Sequence, residues 1–138
     1  MIKDLSAIVA CILTAYFVAI AATVEEALLY GVPIILLCAS VSFAVHWIIA
    51  VPSLITSSEK YFDFIGMIAT LLVITTAMFA LINSGHQASI RATIVAIFVS
   101  VWTLRLGTFL YKRIVKSGED KRFREIKKSL TKFLMTWT

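Results

Sequence analysis

The sequence predicts an all-α, polytopic transmembrane helical bundle, on three observations. Four apolar runs each approach the ~20 residues that cross ~30 Å of hydrocarbon. The 138 residues are 60% hydrophobic and only 15% charged, with a mean hydropathy of +0.94, too little charge for the wetted surface of a soluble domain. The charge is also segregated: of thirteen Lys and Arg residues, most fall between Trp102 and Lys128, directly after the fourth run.

The expected spans are about 5–24, 28–52, 64–82 and 92–111. The first, Leu5 to Val24, carries no charge. Ala19-Ile20-Ala21 has the small-x-small pattern of a cleavage site, but the run exceeds a signal-peptide core and further spans follow, so a retained helix is the better reading. Glu25-Glu26 marks a turn. The second run, Ala27 to Ile55, would reach roughly 43 Å as one helix, with Pro33 and Pro52 near its two ends, where a lost backbone hydrogen bond is tolerated. Thr56 to Asp63 is a polar connection, Phe64 to Ile82 the third run, and Asn83 to Arg91 a turn-rich loop. The fourth run, Ala92 to Tyr111, is interrupted only by Arg105. Ala92, Ala96, Ser100, Thr103 and Gly107 recur along it at three- and four-residue spacing, a seam of small residues against which another helix can pack closely.

A basic segment, 112–129, follows. Ser117-Gly118 reads as a helix stop, and Phe123, Ile126 and Leu130 share one face of a short amphipathic helix at the membrane surface. Residues 130–138 read as the start of a truncated fifth span, too short to cross. By the positive-inside rule 112–129 is cytoplasmic, which puts the N-terminus and 57–63 on that side and Glu25-Glu26 and 83–91 on the other, with Arg91 as the one dissenter. The localised charge argues for a bilayer partner and against nucleic acid. Cys11 and Cys38 lie within apolar runs as small hydrophobes, and no metal-ligand set is evident.

Three groups could carry chemistry. Arg105, inside the fourth span, either snorkels to the headgroups or turns inward to bind a phosphate or carboxylate. Lys112, Arg113, Lys116, Lys121, Arg122 and Arg124 either flank the span as a topology signal or grip phosphate oxygens, with Asp120 and Gly118 shaping the turn. Glu59, Tyr61 and Asp63 either anchor a helix end in the interface or donate and relay a proton. His46 is a lone membrane histidine, read as a satisfied polar residue rather than a haem or metal ligand.

Two blocks carry a resemblance. Trp102-x-x-Arg105-Leu106-Gly107-x-x-Leu110-x-x-Arg113, followed by Gly118-Glu119-Asp120-x-Arg122-Phe123, resembles the bacterial DUF1295 family of steroid 5-alpha-reductase-like membrane proteins. Glu59-Lys60-Tyr61-Phe62-Asp63-Phe64-x-Gly66 resembles a second segment of that family, in the right order. The resemblance extends from about His46 onward. It implies a bacterial inner-membrane reductase that uses NADPH to saturate a double bond conjugated to a carbonyl in a lipophilic enone. Arg105, Arg113, Asp120 and Arg122 would lie near the dinucleotide, and Glu59, Tyr61 and Asp63 are the candidates for proton donation. Family members continue with further helices and a Pro-, Asn- and Tyr-containing segment that completes the cofactor site. On that reading this chain is the N-terminal half, needing those C-terminal helices or a partner chain, and inactive alone.

Two other functions remain open. One is a non-enzymatic four-span protein, an assembly partner or small transporter. A small multidrug exporter needs an acid inside its first span, whereas Asp4 precedes that span and Glu25 follows it. The other is the isoprenylcysteine methyltransferase-like branch, which would bind S-adenosylmethionine.

Overall fold

The computed structural model describes residues 2–23, 28–56, 61–85, 89–117, 126 and 130–138. Within them the chain forms helix α1 (Ile2–Ala21), strands β1 (Leu28–Leu29) and β2 (Val32–Pro33), and helices α2 (Ile34–Thr56), α3 (Phe62–Asn83), α4 (Ile90–Ser117) and α5 (Leu130–Thr136). Three of these helices are long and apolar enough to cross a membrane. Ile34–Ser53 and Phe62–Asn83 each have a mean hydropathy of 2.4, and Ile90–Ser117 has 1.8. This is an integral membrane protein built of apolar helices. The apolar part of α1, Leu5–Ala21, is shorter, about 25 Å.

The second helix begins at Ile34, six residues later than the expected span 28–52. Tyr30 (φ 52°) and Gly31 (φ 79°) both adopt left-handed backbone, as the two central residues of a tight hairpin turn must. They pair Leu28 with Pro33 and Leu29 with Val32 in an antiparallel register. The run Ala27 to Ile55 is therefore a hairpin joined to a helix. Pro33 ends the strand immediately before α2, and Pro52 lies in the last turns of α2. α4 is longer than expected: its 28 residues extend about 42 Å, so the basic end from Lys112 overhangs a ~30 Å hydrocarbon core. Its described part runs to Ser117. Gly118 and the amphipathic helix expected through Phe123 lie outside the described residues, apart from Ile126.

Consecutive long helices lie side by side and antiparallel. The Tyr16 hydroxyl meets Ser40 Oγ at 3.0 Å and its ring stacks on Phe43, joining α1 to α2. The start of α2 meets the end of α3 through Ile34 and Ala80, a buried cluster that also takes in Leu29 of the hairpin. At the other end Ala50, Ile65 and Trp137 form a second cluster. There α5 packs against α1 and α2, and Trp137 meets Phe62 edge-on at 5.0 Å. Within the helices hydroxyls turn back to the carbonyl four residues earlier: Ser40 to Leu36, Thr70 to Gly66, Thr75 to Leu71 and Ser100 to Ala96, at 2.7–2.9 Å. That satisfies them where lipid offers no partner. His46 does the same, its Nδ1 lying 2.8 Å from the Ser42 carbonyl. It is a satisfied polar residue, as expected.

The small-residue seam of α4 faces α3 of the same chain. Thr103 and Gly107 are buried, as is Ile114 further along, and a Cβ placed on Gly107 would lie 2.6 Å from both Cβ and Sδ of Met67. A side chain there would force Met67 to shift, so glycine at 107 sets how closely α3 and α4 approach.

Candidate functional site

The two sequence blocks meet at one end of the α3–α4 pair. Tyr61 stands just before α3, with Asp63 in the first turn of that helix. Opposite them, one turn beyond Gly107, the Tyr111 ring stacks on Tyr61 at a centroid distance of 6.4 Å and tilts against Phe64 at 5.1 Å. The antiparallel packing dictates this pairing: Met67 opposite Gly107 places residues about four earlier on α3 beside residues four later on α4. Tyr61 is just over half exposed (53%), Asp63 is half-buried, and both stand where the chain can meet a ligand arriving from water.

The basic residues lie around this cluster without entering it. Arg113 is exposed, two residues past Tyr111, on the overhanging part of α4. Arg105 projects from the face of α4 turned away from α3. It lies two residues from both Thr103 and Gly107, about 200° around the helix, and it lines a shallow cleft of about 370 Å³ with Trp102, Leu106 and Phe109. The inward reading of Arg105 thus does not apply toward α3. Along the axis Arg105 and Arg113 are about 12 Å apart. Of the other expected site residues, Glu59, Asp120 and Arg122 lie outside the described residues. Among the described residues no group of His, Cys, Asp or Glu is placed to hold a metal.

Sequence reasoning missed Tyr111. It closes the fourth apolar run, where a tyrosine reads as an interfacial anchor. The signal available was its place four residues after the seam glycine, on the flank of the buried stripe.

An open-edged bundle of apolar helices, with an aromatic and acidic cluster and a basic overhang at one end, defines a helical membrane protein with a water-facing polar end. The chain belongs to the family described as "Protein of unknown function (DUF1295)", whose pattern it matches over residues 46–138, from the middle of α2 through α5. No curated protein and no solved structure matches it.

Proposed function

We propose that this chain forms part of an NADPH-dependent reductase of lipophilic enones, contributing one wall of the cofactor site. The observation that carries the reading is the stack of Tyr61 on Tyr111, which sets the proton-donor candidates of one block directly beside the cation-bearing helix of the other. NADPH would supply a hydride to the β-carbon of the conjugated double bond. The chain's own residues would do three things. Arg113 on the overhang and Arg105 about 12 Å away would hold separate phosphate groups of an extended dinucleotide by charge-assisted hydrogen bonds. Tyr111 and Phe64 would offer an aromatic wall. The Tyr61 hydroxyl, with Asp63 in the adjoining turn, would deliver the proton the product needs at its α-carbon.

The residues fit such a ligand in part: Arg113 adjoins the aromatic cluster, whereas Arg105 faces outward, so the dinucleotide would lie along the outer flank of α4. Further helices, from a continuation of the chain or from a partner, would close that flank. The positive-inside rule supports a cytoplasmic position for the overhang, the side on which NADPH is found. A titration of NADPH against purified protein, watching nicotinamide fluorescence, tests the reading. Arg105→Ala and Arg113→Ala should each weaken binding about tenfold, the cost of one charged hydrogen bond. Absence of binding both by this chain and by one extended with further helices would refute it.

A second reading, a non-enzymatic assembly partner, is favoured by one observation. The outer face of α4 exposes Phe98, Trp102 and Phe109 and is available to another helix. The buried part of the small-residue seam, Thr103 and Gly107, does not support that reading, because α3 packs there.

A further inference from the structure

At the opposite end of α4 from Tyr111 lies a cavity of about 750 Å³ between the start of α2, the end of α3 and the start of α4. Small side chains create it: Ala77 on α3 and Ala92 and Ala96 on α4 stand where larger residues would close the gap. Its walls are otherwise aliphatic, and two groups at the start of α4 are polar. Ser89 caps the helix, its Oγ accepting from the Ala92 N–H at 3.1 Å. Arg91 is exposed and lines the cavity, and among the described residues no acidic one does. A volume in the range of small-molecule sites, apolar walls and a cation at one end together match a pocket built for an amphiphile.

We infer that this cavity binds a single-chain carboxylate amphiphile, a long-chain fatty acid, with its hydrocarbon among Ala77, Ala92 and Ala96 and its carboxylate on Arg91. The charge complementarity is specific. Arg91 is the cation that the distribution of Lys and Arg leaves unexplained, standing alone on the side that should lack positive charge. An anionic ligand gives it a role there, and the positive end of the α4 dipole acts in the same direction. The volume suits one chain better than the two of a phospholipid. The site is about 33 Å along α4 from Arg113, so it stands or falls independently of the reductase reading.

The test uses the full chain in neutral phosphatidylcholine nanodiscs, with a photoactivatable diazirine palmitate as probe and peptide mapping as readout. Cross-links should concentrate on 34–38, 74–81 and 92–99. Unlabelled palmitate should compete and hexadecanol should not. Arg91→Gln should lower the yield about tenfold, and Ala96→Phe should abolish it. Labelling spread along the outer face of α4, or equal competition by hexadecanol, overturns the inference without any variant having to fold. So does an equal loss of thermal stability in Arg91→Gln and in the Glu25→Gln, Glu26→Gln double variant without additivity, which would pair Arg91 with the chain's own acids.

Discussion

The two faces of α4 are made of similar material and do opposite things. The inner face presents Thr103, Gly107 and Ile114, all buried; the outer presents Trp102, Arg105 and Phe109, all exposed. Hydropathy does not separate them, since bulky apolar residues such as Trp102 and Phe109 are on the outside. What separates them is size. Between apolar helices in lipid, association rests on close van der Waals approach rather than on escape from water, so small residues mark the protein side and large ones the lipid or ligand side. The difference teaches that on α4 a small residue in the seam is better evidence of a buried contact than a phenylalanine.

Substitutions on the two faces should therefore diverge. The largest effect is expected for Ile114→Ala, which leaves a void at a position only 2% exposed and should lower stability in detergent by about 3 kcal/mol. Phe109→Ala, 64% exposed, removes more atoms yet should change stability little, by less than about 0.5 kcal/mol. Equal losses at the two sites would dissolve the distinction.

Next come the helical glycines, which sharpen it. Alanine in place of Gly107 would have to displace Met67 and should cost about 1–2 kcal/mol after its gain in helix propensity. Gly66 has open space where a Cβ would go, so Gly66→Ala should stabilise by up to about 1 kcal/mol. Chemical denaturation of both variants decides the matter by sign alone.

Arginine substitutions probe the outer face by function. Arg105→Ala should weaken NADPH binding while leaving stability within the range expected of a surface change, about 0.5 kcal/mol. A large stability loss would instead mean that Arg105 holds the bundle together. A final substitution returns to the inner face. Thr103 Oγ1 is buried without a hydrogen-bond partner among the described residues, so the near-isosteric Thr103→Val should stabilise by about 1 kcal/mol, read from paired melting curves.

Much of this was legible before any coordinates. The apolar runs located α3 to within two residues at its start, and the three-and-four spacing from Ala92 to Gly107 marked the packing seam. The orientation of Arg105 was implied too, since a residue two places from both Thr103 and Gly107 must point away from whatever the seam packs against. The sequence could not say what that partner was. Complementarity to Met67 depends on the antiparallel height of α3, which no local pattern encodes. The hairpin before α2 was hidden for another reason. Leu28 to Pro33 sits in an uninterrupted apolar stretch, and hydropathy does not distinguish a strand from a helix over six residues; only Gly31 and Pro33 hinted at it. At the candidate site, Tyr61 and Asp63 were legible as a motif, while Tyr111 marked only the end of an apolar run, because its role is to meet a residue fifty positions away.

The Gly107–Met67 contact also acts as an index pin. A helix is stiff, so fixing its rotation and height at one point fixes them along its length. Adding a single residue between Gly107 and Tyr111 would leave the span long enough and oily enough, yet swing everything beyond it by about 100° and raise it by about 1.5 Å. Tyr111 would leave Tyr61, Ile114 would turn out of its buried position and Arg113 would take a new bearing, while the contacts before Gly107 stay as they are. The geometry of that end is thus stored four residues further back along α4, at a glycine whose missing side chain leaves room for Met67.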